Sequence, residues 1–133
     1  MSSPEIRIGL IGPGGMGTVH LRNYEHIEGA RGVAVCAHSP ASAERAGAEG
    51  VDVYTDADAM LSRGDIDLVD ICTPTYTHPE HVKNALLHDK HVICEKPAGV
   101  YTAQVKEMNA AAEKSEAKFA VMFNQRTDCV YRK

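Results

Sequence analysis

Gly12, Gly14 and Gly17 stand in G-x-G-x-x-G spacing within Gly12-Pro13-Gly14-Gly15-Met16-Gly17, directly after the apolar run "IRIGLI" at 6–11. Each glycine has its own task in such a loop. Gly12 permits a tight turn, Gly14 lets the backbone approach a pyrophosphate, and Gly17 lets the following helix pack close to the strand. The N–H groups that open that helix then face the phosphate charge. Gly12, Gly14, Gly15, Met16 and Gly17 are therefore expected to contact a dinucleotide. A glycine loop serving packing alone carries the same letters, but the position between a strand and a helix argues for a ligand.

Two more stretches carry chemistry. "ICTPTYTHPEH" at 71–81 sets Thr73, Thr75 and His78 at the carboxyl end of a strand, where ligands bind in open α/β sheets. "CEKPAG" at 94–99 brings Glu95 and Lys96 to the same edge. An amine there places a charge on a substrate oxygen or exchanges a proton with it. The Lys96–Pro97 bond is a candidate for a cis peptide.

The cofactor type turns on "CAHSP", Cys36 to Pro40. NAD-binding forms commonly carry Asp or Glu at this place to hold the ribose hydroxyls. Here no carboxylate is present, Ala37 is expected beside the ribose, and His38 and Ser39 tolerate a 2′-phosphate, with Arg45 in reach. NADP is slightly favoured over NAD. A methyltransferase shares the glycine loop but wants an acid after the second strand, which is absent.

The other histidines fall in two pairs, His78 with His81 and His88 with His91, and no Cys or carboxylate completes a zinc shell with them. No metal is expected. His26, His81 and His88 are read as surface residues.

These residues need a scaffold, and the rhythm of apolar runs supplies one. Near-continuous, β-branched runs recur at 6–11, 32–37, 51–54, 66–72, 91–94 and 119–123, the pattern of strands buried on both faces. Helical segments alternate with them: about 16–26, the Ala-rich "PASAERAGAEG", 56–64 with Asp56 as N-cap, a fourth from Thr77, and about 103–115. Thr77 and Glu80 have capping-box spacing, Pro79 sits in the first turn, and Val82, Ala85 and Leu86 form an inner stripe. Val105, Met108, Ala111 and Ala112 do the same for the fifth helix. The fold expected is α/β: a Rossmann-type, doubly wound parallel sheet of six strands in the order 3-2-1-4-5-6.

Composition narrows the function classes. The chain has 133 residues, 44% hydrophobic and 24% charged, with a net charge of −4. The acidic balance argues against a nucleic-acid partner. No apolar run approaches the ~20 residues of a membrane span, and the N-terminus has no secretory core, so a cytoplasmic setting is expected. Cys36, Cys72 and Cys94 lie in or beside strand-like runs and are read as buried free thiols.

Taken together, the glycine loop, Cys72-Thr73-Pro74 through His78, and Glu95-Lys96-Pro97 resemble the Gfo/Idh/MocA family, relatives of glucose–fructose oxidoreductase and inositol dehydrogenase. His20 also looks like that family's first helix. The resemblance implies hydride transfer between NAD(P) and a sugar, cyclitol or related polyol, with Lys96 as the catalytic residue to carry over. It further implies a homo-oligomer and a C-terminal substrate domain. "FNQRTDCVYRK" resembles the crossover into that domain, although Cys129 stands where Pro is common. On this reading 1–124 form the NAD(P)-binding domain, 125–133 begin a linker, and these residues alone are inactive. The alternative is a non-catalytic NAD(P)-binding sensor or pseudoenzyme, which shares the loop but has no need of Glu95-Lys96-Pro97.

Overall fold

A computed structural model of the chain describes residues 5–47 and 50–131. Six parallel strands form one sheet: β1 (Ile6–Ile11), β2 (Ala30–Cys36), β3 (Asp52–Tyr54), β4 (Leu68–Ile71), β5 (His91–Glu95) and β6 (Phe119–Met122). Their order is β3-β2-β1-β4-β5-β6, as the alternating pattern predicts. Five helices connect them: α1 (Gly15–Tyr24), α2 (Pro40–Gly47), α3 (Ala57–Leu61), α4 (His78–Leu87) and α5 (Thr102–Glu113). The strand order reverses between β1 and β4, so the crevice lies above their carboxyl ends.

Register assigns side chains to faces. Leu10 pairs with Val35 and Asp70, and Asp70 with Ile93, so these four share one face. Ile11, Cys36, Ile71 and Cys94 share the other. The second face carries the larger core, in which Met60, Leu61, Val82, Ala85, Leu86 and Met108 seal α3, α4 and α5 onto the sheet. The first face packs Leu10 and Val35 against Leu21 of α1 and Ala46 of α2. Asp70 sits on that first face, fully buried, where the pattern would otherwise place an aliphatic residue.

Helix ends differ from the sequence reading in instructive ways. Asp56 caps α3 as expected, its carboxylate accepting the Asp58 N–H at 3.0 Å, yet the helix stops at Leu61 instead of reaching Gly64. Thr77 is the residue before α4, but no capping box forms. Its hydroxyl is drawn instead to Thr73 Oγ1 and the Pro74 carbonyl, each at 2.8 Å, within a single 3₁₀ turn at Thr75–Thr77. Helix α5 takes its cap from the side unread in the sequence: Gln104 Oε1 accepts the N–H groups of Val100 and Tyr101. In "PASAERAGAEG" the helix runs to Gly47, and Ala48 and Glu49 lie outside the described residues. The same holds for the last two residues of the expected linker.

Candidate cofactor cleft and buried relay

Between β1 and α1 the three motif glycines are held for two different reasons. Gly12 has φ +91°, and a Cβ there would meet Thr73 Cγ2 at 2.8 Å and the Thr73 nitrogen at 2.9 Å. Its N–H donates to the Cys36 carbonyl at 3.0 Å, which ties the turn to the end of β2. A Cβ on Gly17 would run into the Gly12 carbonyl oxygen. Both glycines are thus required by the protein itself.

Gly14 and Gly15 are different. Gly14 has an ordinary φ of −77°, and among the described residues a Cβ on either Gly14 or Gly15 would meet nothing within 4 Å. No contact within the fold asks for glycine at these two positions. Helix α1 also opens without a side-chain cap and without an acid in its first turn. The result is a small concave surface of backbone, positive in character, facing open space. A pyrophosphate fits this cradle, and side chains at 14 and 15 would fill it. Met16, the other loop residue expected at the cofactor, is 52% exposed beside it.

Two adjoining clefts extend from the loop. One, of about 300 Å³, is lined by Gly12, Gly14, His38, Thr73, Tyr76 and His81, among others. Its neighbour, of about 320 Å³, shares Gly12, His38, Thr73 and His81 and adds Asp56. His38 and Thr73, both expected at the cofactor, line the two clefts. His81, read as a surface residue, lines both clefts, and burial lowers its pKa below the usual histidine value. It is an uncharged hydrogen-bonding group at neutral pH.

Other expectations need correction. His78 does not face the cleft. It is 1% exposed, and its ring nitrogens lie 2.9 Å from the Pro97 and Thr73 carbonyl oxygens. The ring therefore joins the loop after β4 to the loop after β5, which contains the cis Lys96–Pro97 peptide. Ser39 spends its hydroxyl on α2, accepting the Ser42 N–H at 3.2 Å in the manner of an N-cap, and it is Ser42 that reaches the cleft. Ala37 is fully buried, so the cleft-facing residue after β2 is His38. Thr75 begins the 3₁₀ turn, and Tyr76 and Thr77 of that turn line the cleft. Arg45 lies exposed in the last turn of α2, beyond Ser42.

At the β5 edge Lys96 is exposed, and among the described residues its ammonium has no hydrogen bond or ion pair. Its backbone N–H donates to Glu95 Oε2 at 3.0 Å. Glu95, expected at the cofactor, turns its other oxygen inward, 3.2 Å from His20 Nε2. His20 Nδ1 in turn lies 2.8 Å from Asp70 Oδ2, which also accepts the Tyr24 hydroxyl at 2.5 Å. Cys72 Sγ donates to Asp70 Oδ1 at 3.5 Å. A continuous chain Tyr24–Asp70–His20–Glu95 thus runs beneath the sheet edge to the backbone of Lys96.

The surroundings raise His20 and Tyr24, and with them the neighbouring thiols of Cys72 and Cys94. Hydrogen bonding to Asp70, with the fields of Asp70 and Glu95, raises His20 against the opposing effect of burial. Burial, then Asp70, pushes the Tyr24 hydroxyl and the Cys72 thiol well above their usual values. Cys94, behind them, is pushed up to about 12, chiefly by burial. Tyr24, Cys72 and Cys94 remain protonated at any physiological pH.

Sequence reasoning passed over this chain by counting Asp70 within an apolar run. The usable signal was a lone carboxylate at the centre of a buried strand, with His20 and Tyr24 four apart on one face of a facing helix. His20, Asp70 and Cys72 also bring three potential metal-ligand atoms within 4.8 Å of one another, a trio outside the histidine pairs weighed in the sequence. Their contacts to Asp70 are those of a hydrogen-bonded network, and we assign them to it.

Residues 6–123 match GFO_IDH_MocA, an oxidoreductase family with an NAD-binding Rossmann fold. The inositol 2-dehydrogenase of Rhizobium meliloti is 40% identical over 124 residues, covering 92% of this chain and 37% of that protein. The myo-inositol 2-dehydrogenase of Thermotoga maritima is 32% identical over 130 residues, covering 96% of this chain and 39% of that protein. Among solved structures, apo scyllo-inositol dehydrogenase from Lactobacillus casei matches with a TM-score of 0.93 at 33% identity, over 99% of this chain and 40% of that one. The same enzyme with bound NAD(H) and scyllo-inositol matches at 0.90 and 32% identity, over 96% of this chain and 39% of that one. The chain spans 37–40% of the length of these relatives. The family match runs over residues 6–123 and so takes in all six strands, and the chain belongs to the GFO_IDH_MocA oxidoreductase family as an NAD-binding Rossmann domain.

Proposed function

We propose that this domain holds a nicotinamide dinucleotide for hydride transfer to or from a carbinol carbon of a sugar, cyclitol or related polyol. The observation that carries the reading is the open space over Gly14 and Gly15, glycines that the fold does not need and a pyrophosphate does. Gly14, Gly15 and the uncapped start of α1 bind the two phosphates through backbone N–H groups. His38 and His81 flank the adenosine half. Thr73 and the 3₁₀ turn after β4 bound the other half, and Lys96 stands at the edge where the reacting oxygen belongs. When bound, the nicotinamide supplies the hydride chemistry. Lys96 Nζ then exchanges a proton with the substrate oxygen or holds charge against it.

The relatives point the same way, since two of them are named for inositol oxidation and one solved structure contains NAD(H) with scyllo-inositol. For cofactor choice, the end of β2 offers no carboxylate to repel a 2′-phosphate and no arginine to grip it. We read the site as admitting both nucleotides, with NADP slightly ahead. Titration of the chain with NADH, NADPH and S-adenosylmethionine, followed by nucleotide fluorescence or calorimetry, tests this. Binding of both nicotinamides and not of the methyl donor is expected. Failure of both nicotinamides to bind overturns it.

A further inference from the structure

His20 sits with each ring nitrogen against a different carboxylate: Nδ1 at 2.8 Å from Asp70 and Nε2 at 3.2 Å from Glu95. A neutral imidazole has one N–H and one lone pair, so it satisfies only one of these contacts and sets a lone pair against the other oxygen. The imidazolium donates to both. The two carboxylates are not held equally. Asp70 is fully buried and keeps the Tyr24 hydroxyl and the Cys72 thiol as donors whatever His20 does. Glu95, with a side chain 12% exposed, has His20 and the Lys96 backbone N–H. The shorter contact, made to the fully buried carboxylate, keeps the single proton of a neutral ring on Nδ1, so the contact that depends on the second imidazole proton is the one to Glu95.

We propose that His20 is a positioning residue for Lys96: as an imidazolium clamped between Asp70 and Glu95, it fixes the Glu95 carboxylate that in turn holds the Lys96 backbone N–H. The importance given to Lys96 rests on the function proposed above, but the clamp itself does not require a bound nucleotide. The titratable groups facing His20 are Tyr24 from its own helix, Asp70 from β4, Cys72 after β4, and Glu95 from β5, with Cys94 behind. Tyr24, Cys72 and Cys94 are all held protonated, so His20 is the group whose proton changes the clamp as pH rises. Loss of that proton leaves Asp70 satisfied and frees Glu95, and with it the segment carrying Lys96.

The test uses the wild-type chain without nucleotide, labelled with nitrogen-15. Long-range imidazole spectra read the protonation of both His20 nitrogens across pH, and the Lys96 backbone amide shift is followed in the same samples. We expect both nitrogens protonated at pH 6, a His20 midpoint above that of an exposed histidine, and an inflection of the Lys96 amide at the same midpoint. In Glu95→Gln, with amide dispersion confirming the fold, the His20 midpoint falls and the Lys96 inflection disappears. A neutral His20 at pH 6, or a Lys96 amide that does not follow the His20 midpoint in the wild-type chain, overturns the clamp. Nucleotide binding is measured separately, so failure of the cofactor reading and failure of the clamp give different results.

Discussion

Gly17 lies directly over the carbonyl oxygen of Gly12, with no room between them for a methyl group. The close packing of α1 onto β1 depends on this contact, and so does the height of the helix start above the loop. Gly17→Ala has to push α1 away from the turn. We expect it to destabilise the fold by about 1–3 kcal/mol, as overpacking does, and to weaken nucleotide binding as well. Chemical denaturation checks the first effect. Unchanged stability would mean that the loop yields without cost.

On the proposed reading, discrimination between nucleotides rests on His38, the residue that faces the cleft after β2. His38→Asp places a carboxylate beside the ribose, where it accepts the hydroxyls and repels a 2′-phosphate. The ratio of NADPH to NADH affinity is expected to fall by at least about tenfold, in line with the cost of juxtaposed like charges. Ala37→Asp, which the sequence alone suggests for the same purpose, buries a carboxylate and is expected to lower stability instead. Parallel titrations and melts of the two variants separate these outcomes.

His20 also links stability to pH. Its folded-state pKa is raised above the usual 6.5, first by the hydrogen bond to Asp70. The folded state therefore binds the proton more tightly than the unfolded chain. This contribution is complete below about 6.5 and is lost as pH rises through the elevated value. Melting temperature is expected to decline across that window, and His20→Gln to flatten the decline. A wild-type profile that rises through the window would contradict the assignment.

Lys96 is exposed and, among the described residues, its ammonium has no partner, so its removal costs the fold little. In an active dehydrogenase containing this domain, Lys96→Ala is expected to cut kcat by about 10²–10⁴-fold, the range for a positioned acid or base. Cofactor affinity should change far less. Near-normal kcat would make the amine a bystander.

The framework of strands and the glycine loop were readable because parallel strands buried on both faces leave long apolar runs, and because glycine spacing survives any choice of neighbours. The place of Lys96 directly after β5 was readable from the apolar run before it. Other features depended on facts that one-dimensional order hides. Spacing does not tell which histidine after β4 meets the cleft: His78 is buried against the Thr73 and Pro97 carbonyls, while His81 lines the clefts. Thr77 has capping-box spacing, yet the 3₁₀ turn offered its hydroxyl nearer partners. Asp70 acquires its meaning only when helix α1 lays His20 and Tyr24 over it, a contact spanning 50 residues of sequence for His20. Glu95, likewise, is turned toward that helix instead of the ligand edge.

The central claim is that the space over Gly14 is kept for a phosphate. Gly14→Val tests it most directly, because the position has an ordinary backbone conformation and none of the described residues lies within reach of an added Cβ. The measurement is NADH affinity, by fluorescence titration, of wild-type and Gly14→Val chains whose melting temperatures are compared in the same buffer. The account predicts near-equal melting temperatures and a loss of affinity on the order of a hundredfold, the consequence of blocking the close backbone approach to the pyrophosphate. Equal affinity in the two chains would show that the cradle is not where the dinucleotide binds.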